Sequence, residues 1–212
     1  MGILQAIARA LEQGDCPAVS ELVAQGLTEQ KKPKEILDQG LIAGMNVIGE
    51  KYKNHEIFLP DVLLAAKAMY AGMDILKPLF LKGEMASLGR VVIGTVQGDI
   101  HDIGKNLVGI MLRGAGFDVI DLGKDVAPAV FVETALRENA RVIGMSALLT
   151  TTMPVMREVT ALLARQGLQG KIKTVIGGAP VSDEFARQIG ADGYGYDSVR
   201  AVECIKQLIS EA

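Results

Sequence analysis

Six consecutive residues, Val91-Val92-Ile93-Gly94-Thr95-Val96, carry no charge and no polar alternation, and they run into Gly98-Asp99-Ile100-His101-Asp102-Ile103-Gly104 and then a helix-like stretch from Lys105 to Leu112. A β-branched run of this kind predicts a strand buried on both faces of a parallel sheet, which commits the chain to helices on each side. The loop after such a strand lies at the carboxyl end of the sheet, where open α/β sheets bind ligands. That loop holds one of the chain's two histidines.

The grammar on either side of this run differs. Before residue 84 two long stretches follow helical spacing: Leu37, Leu41, Met45, Ile48 and Tyr52 in one, and Val62, Ala66, Met69, Met73, Leu76 and Phe80 in the other. Steps of three and four form the buried seam of a bundle helix. Two shorter helices are predicted near residues 2–13 and 17–27, with Asp15 as cap and Pro17 in the first turn of the second. Gly83 to Gly89 breaks the pattern and is the expected linker and hinge. Beyond it, strands are predicted near Asp118–Asp121, Arg141–Met145, Lys173–Ile176 and Gly193–Tyr196, with helices between them. The expected fold is therefore α plus α/β: an N-terminal four-helix bundle over 1–84, then a flavodoxin-like or Rossmann-like doubly wound five-stranded parallel sheet over 90–212.

Composition narrows the function classes. The 212 residues are 49% hydrophobic and 22% charged, with a formal charge of −3 and no basic run, which argues against a nucleic-acid partner. No apolar run reaches membrane-spanning length and the N-terminus lacks a charged leader, so a cytoplasmic protein without membrane association is expected. Cys16 and Cys204 stand far apart and are read as inert thiols.

The chemistry lies in the loop. A neutral imidazole can give one ring nitrogen to a metal while a carboxylate holds the other N–H, which fixes the tautomer and raises ligand basicity. Asp99 and His101 are spaced for this, and Gly104 permits a bulky ligand to approach the backbone. Two further segments end strands at the same edge: Met145-Ser146-Ala147-Leu148-Leu149-Thr150-Thr151-Thr152 and Ile176-Gly177-Gly178-Ala179-Pro180.

Taken together, Asp-x-His-x-x-Gly, Ser-x-Leu and Gly-Gly resemble the cobalamin-binding module of methionine synthase, and the whole chain is similar to the corrinoid proteins of three-component methyltransferase systems. The resemblance implies a cobamide cofactor with His101 as lower axial ligand of cobalt and Asp99 on its outer nitrogen. Thr152 stands where the family places a hydroxyl, commonly serine, that completes a His-Asp-hydroxyl relay. The same resemblance places Gly98, Asp102, Ile103 and Gly104 around the cofactor, Ser146, Leu148 and Thr150 along a slot for its nucleotide tail, and Gly177, Gly178, Gly193 and Tyr194 at the nucleotide end. Lys105 and Asp102 are expected to face solvent, as is His55.

In the helical half, Gly49-Glu50-Lys51-Tyr52 and Phe58-Leu59-Pro60-Asp61 match the family's cap over the upper face of the corrin. Tyr52 and Leu59 occupy the shielding positions, tyrosine replacing the phenylalanine usual in methionine synthase. The implied function is a methyl carrier cycling between Co(I) and methyl-Co(III). It would take methyl from a donor-specific methyltransferase serving methanol, a methylamine, betaine or an aryl methyl ether, and pass it to an acceptor methyltransferase using tetrahydrofolate or coenzyme M. A reductive activase would restore oxidised cobalt. Such a subunit does not catalyse alone. The competing readings are the cobalamin subunit of an adenosylcobalamin mutase, which lacks a helical cap, and a cobalamin-dependent sensor, which uses a tryptophan this chain does not have. A plain flavodoxin-like phosphate or flavin module leaves the histidine and the helical half unexplained.

Overall fold

A computed structural model of the chain describes residues 2–79 and 87–210. It divides into two compact units, Met1–Ser87 with Gly114–Gly116, and Leu88–Arg113 with Phe117–Ala212. Most of the expected linker, together with Phe80 of the predicted seam, lies outside the described residues.

The first unit is helical. α1 spans Ile3–Glu12 and α2 spans Cys16–Thr28, whose Asp15 cap accepts the Ala18 N–H at 3.0 Å and whose first turn holds Pro17. A third helical run starts at Pro33 as α3 (Pro33–Ile36), passes through a π-helical segment at Leu37–Ile42, and continues without a break as α4 (Ala43–Lys53). α5 covers Leu59–Leu76. The π segment was not legible as such: its apolar positions Leu37 and Leu41 keep a four-residue step that an α-helix would show equally well. α2 packs on α5 and on α1, and α1 packs on α4. Their shared core includes Ile7, Leu11, Val19, Val23, Ile36, Leu41, Ile48, Val62 and Leu76, all essentially inaccessible. Of the predicted seam of α5, Val62, Ala66, Met69 and Leu76 are buried and Met73 is half-buried.

The second unit alternates strand and helix: β1 Arg90–Thr95, α6 Ile103–Gly114, β2 Asp118–Asp121, α7 Pro128–Arg137, β3 Val142–Ser146, α8 Met153–Arg165, β4 Lys173–Gly177, α9 Asp183–Ile189, β5 Gly193–Gly195 and α10 Ser198–Ser210. All pairings are parallel, in the order β2-β1-β3-β4-β5. Residues 91–95 of β1 are buried throughout, as an unalternating apolar run requires. One core layer joins Val92, Phe131, Ile143, Met156, Leu163 and Ile176. Sequential strands β1 and β2 run one way across the sheet, then the chain returns to place β3 on the other side of β1. Loops leaving β1 and β3 therefore diverge and open a crevice between them, the topological switch point of a doubly wound sheet.

Candidate cobalamin-binding site

Asp99 is the fixed centre of the β1 loop. It is fully buried, and burial alone would raise its pKa; hydrogen bonds from the backbone N–H groups of His101 and Leu148, from the His101 ring and from the Thr152 hydroxyl outweigh this and hold it well below the usual carboxylate range. Oδ1 accepts the His101 N–H at 3.0 Å and faces His101 Nδ1 at 2.7 Å. Oδ2 accepts the N–H groups of Leu148 at 2.7 Å and Leu149 at 3.1 Å, and the Thr152 hydroxyl at 3.0 Å. An ionised carboxylate only accepts, so the imidazole proton sits on Nδ1 and Nε2 is the nitrogen left for a metal. The His101 side chain is 48% exposed, open to a ligand from above the sheet edge.

Beside the loop lies a cavity of about 760 Å³. Its walls come from β1, β3 and β4 (Ile93, Gly144, Val175, Ile176), from α6 (Val108) and from α10 (Ile205), and its mouth from Ile100, His101, Asp102, Ile103 and Gly104. Ser146, Leu148, Gly177, Gly178 and Tyr194 also line it. Burial raises the Tyr194 phenol, with Tyr196 and Asp183 adding to the effect, so that side chain is a neutral hydrogen-bonding group.

Not every expected residue reaches the cavity. Thr150 is exposed and outside the lining; Gly193 also lies outside it, against α10, where a side-chain carbon would come within 2.3 Å of Cys204 Sγ. Gly98 has a φ of 82° and lies at the loop, not in the slot. Tyr52 near the end of α4 and Leu59 at the start of α5 are both half-buried in the helical unit. His55 is exposed, as expected.

Lys105 corrects the reading that it faces solvent. It is 5% exposed, and its ammonium meets Asp121 Oδ1 and Oδ2 and Asn106 Oδ1, each at 2.6 Å, while lining the cavity. Asp102 is half-buried and belongs to the same lining. The ion pair was hidden because it spans β1–α6 and β2, and only the pairing of those strands brings Asp121 alongside. Two other supports of the loop were also missed, Thr95 and Asp125.

The residues fit a corrinoid. Aliphatic walls accept an aromatic base, and glycines at 177, 178 and 195 let neighbouring protein atoms come within 3 Å of where a side-chain carbon would stand, which sets the shape of the slot. At Gly104 a side-chain carbon would meet nothing within 4 Å, so the mouth is open where a large ring must approach. Ser198, a lining residue, carries a buried hydroxyl with no partner among the described residues, which a polar ligand group would relieve.

Comparison with known proteins agrees with this geometry. The model of a B12 binding domain matches residues 89–203, and a second B12 binding domain model matches 3–77. The chain belongs to the B12-binding family. Its cofactor is therefore a corrinoid. Dimethylamine corrinoid protein 1 of Methanosarcina acetivorans is 48% identical over 84% of this chain and 84% of its own length. A corrinoid protein of Desulfitobacterium hafniense is 40% identical over 100% of this chain and 99% of its own. Among solved structures, the methanol:cobalamin methyltransferase complex of Methanosarcina barkeri superposes with a TM-score of 0.90 at 32% identity, covering 99% of this chain and 80% of that one. A cobalamin-binding protein from Desulfitobacterium hafniense gives 0.79 at 31% identity, covering 97% and 98%. Among the described residues no helix is long and apolar enough to cross a membrane.

Proposed function

We propose that this chain is the methyl-carrying subunit of a corrinoid-dependent methyltransferase system, with residues 90–212 holding the cofactor and residues 1–84 serving as its cap. When bound, the corrinoid supplies a cobalt centre that accepts a methyl group from one protein partner and yields it to another. His101 Nε2 would be the nitrogen that holds the cobalt, with Asp99 orienting the ring and keeping the proton on Nδ1 and Thr152 completing the relay on the second carboxylate oxygen. Gly104, Ile103, Asp102 and Gly98 form the platform at the loop. Ser146, Leu148, Gly177, Gly178 and Tyr194 hold the nucleotide tail, with Thr150 and Gly193 supporting them from outside the lining.

The observation that carries this reading is the Asp99–His101 contact at 2.7 Å beside a deep, glycine-lined slot. A mutase subunit would share the loop; the match of a B12 binding domain model to residues 3–77 favours the carrier. Relatives at 43–48% identity are named dimethylamine corrinoid proteins, which favours a methylamine-specific donor methyltransferase over one for methanol, betaine or an aryl methyl ether. The acceptor methyltransferase, using tetrahydrofolate or coenzyme M, and a reductive activase follow from the same role. A cytoplasmic setting suits all three.

The test is retention of hydroxocobalamin after desalting, followed by electron paramagnetic resonance of the Co(II) form. The expected signal carries nitrogen superhyperfine splitting that changes from triplet to doublet when the protein is labelled with ¹⁵N-histidine, and loses the label's effect in His101→Ala. An unchanged pattern on labelling would overturn the ligand assignment. For the cap, Tyr52 and Leu59 are the proposed shielding side chains: Leu59→Ala should speed photolysis of added methylcobalamin, and equal rates would remove Leu59 from that role.

A further inference from the structure

The motif residues do not hold themselves in place. Thr95, at the last position of β1, is fully buried, and its hydroxyl donates to the His101 carbonyl at 3.0 Å. Its own backbone is pinned on the other side, donating to Gly123 O at 2.9 Å and accepting from the Val126 N–H at 3.0 Å. Between those two residues stands Asp125. Its Oδ1 accepts the Gly98 N–H at 2.8 Å, and its own N–H donates to the Asp99 carbonyl at 3.1 Å. Asp125 holds a φ of 58°, a left-handed conformation that costs free energy for any residue with a side chain and is tolerated best by Asn, Asp and Gly. A non-glycine residue kept there while exposed at the surface indicates that its two contacts matter more than the strain.

The loop is thus gripped at both ends by groups outside the sequence motif. Asp125 fixes Gly98 and Asp99 from the β2–α7 loop, and Thr95 fixes His101 from β1. We infer that Thr95 and Asp125 form a clamp of positioning residues that preorganises the Gly98–His101 loop and so sets how fully the imidazole occupies the metal. Neither touches the cofactor in this role; both act through the backbone that aims His101. The inference rests on the reading of His101 as axial ligand. Its chemical basis is general: partners that orient a metal ligand commonly change metal affinity or activity by about 10–100-fold when removed.

The decisive variants are Thr95→Val, which keeps shape and drops the hydroxyl, Asp125→Ala, which drops the acceptor, and Asp125→Asn, which keeps an acceptor and suits the left-handed backbone. Amide hydrogen exchange of the full chain without cofactor is the first readout. Exchange at Gly98 in Asp125→Ala should quicken by about tenfold, the size expected for the one hydrogen bond its N–H loses; in Thr95→Val the His101 N–H keeps its Asp99 Oδ1 acceptor and should exchange faster only because the loop opens more often, while Asp125→Asn stays near the unaltered protein. The second readout is the Co(II) resonance signal on ¹⁵N-histidine protein, where Val and Ala variants should show a reduced share of histidine-coupled cobalt and Asn should not. Native-like exchange and native-like splitting in both Thr95→Val and Asp125→Ala would overturn the clamp. If the unaltered protein showed no histidine coupling, the ligand reading would fall instead, and the exchange rates would still decide whether the loop is clamped.

Discussion

In the β1 loop both carboxylate oxygens of Asp99 are occupied, by donors from His101, Leu148, Leu149 and Thr152, whereas the adjoining slot is walled mainly by aliphatic side chains and glycines, and its Ser198 hydroxyl has no partner among the described residues. One region is specified by saturated polar contacts before any ligand arrives; the other is specified by apolar packing around close-fitting glycines. The difference follows from the role proposed for each. A metal ligand has to be aimed, and aiming takes directional bonds in a dry setting. An apolar slot takes walls that pack closely without directional bonds, and its glycines allow that packing. Changes to the hydrogen bonds around Asp99 should therefore alter ligation while sparing retention, and changes to the surfaces that face the ligand, the open Gly104 included, should do the reverse.

Two glycines put that contrast to its hardest test. At Gly178 a side-chain carbon would lie 1.8 Å from the Ala147 carbonyl oxygen, and the φ of 126° is one at which a residue with a side chain is strained. Ala147 leads directly into the Leu148 and Leu149 N–H groups that clamp Asp99, so this slot glycine also anchors the loop. Gly178→Ala should cost more than about 3 kcal/mol in urea unfolding of the cofactor-free protein, the strained backbone and the clash acting together. A variant of native stability would show that the two regions are independent. Gly104 is the opposite case, since nothing lies within 4 Å of the missing side chain. Gly104→Leu should leave the urea midpoint unchanged and weaken hydroxocobalamin binding by about 10–100-fold, the equivalent of overpacking by 1–3 kcal/mol. Native binding would mean that the ring does not approach there.

The same contrast explains how much could be read from the chain alone. Strands β1, β3 and β4 were legible because buried parallel strands leave short unalternating apolar runs, the edge strands β2 and β5 from their place in the alternation of strand and helix, and the observed Asp118–Asp121, Val142–Ser146 and Lys173–Gly177 fall within a residue of the reading. Asp99, His101 and Thr152 were singled out through a family resemblance, and the structure joins them in one hydrogen-bonded group. Lys105 was misplaced because its charge suggested solvent, while its partner Asp121 is supplied by a neighbouring strand 16 residues away. Thr95 and Asp125 carried no signal: a threonine ending a strand and an aspartate in a turn are ordinary, and their contacts depend on how the β1 and β2 loops meet. Ser198 was invisible for the same reason, since an unpartnered hydroxyl exists only relative to a cavity.

The smallest expected effect separates hydrogen bonding from packing inside the loop itself. Thr152 has one hydroxyl proton and two acceptors within reach, Asp99 Oδ2 at 3.0 Å and Leu149 O at 2.9 Å, so its bond to the carboxylate is shared. Its methyl group faces Gly98, where a side-chain carbon would come within 3.3 Å of it. A hydrogen bond to a charged group contributes about 1.5–3 kcal/mol, and sharing the proton brings the expected loss in Thr152→Val toward the lower figure or below it, near 1 kcal/mol. Thr152→Ser keeps the proton and removes only the methyl. Urea unfolding of the cofactor-free chain should therefore rank the unaltered protein and Thr152→Ser close together and Thr152→Val below both. If Ser were the less stable variant, the residue would be serving the loop by packing against Gly98, and the polar character that distinguishes loop from slot would end at Asp99 and the backbone.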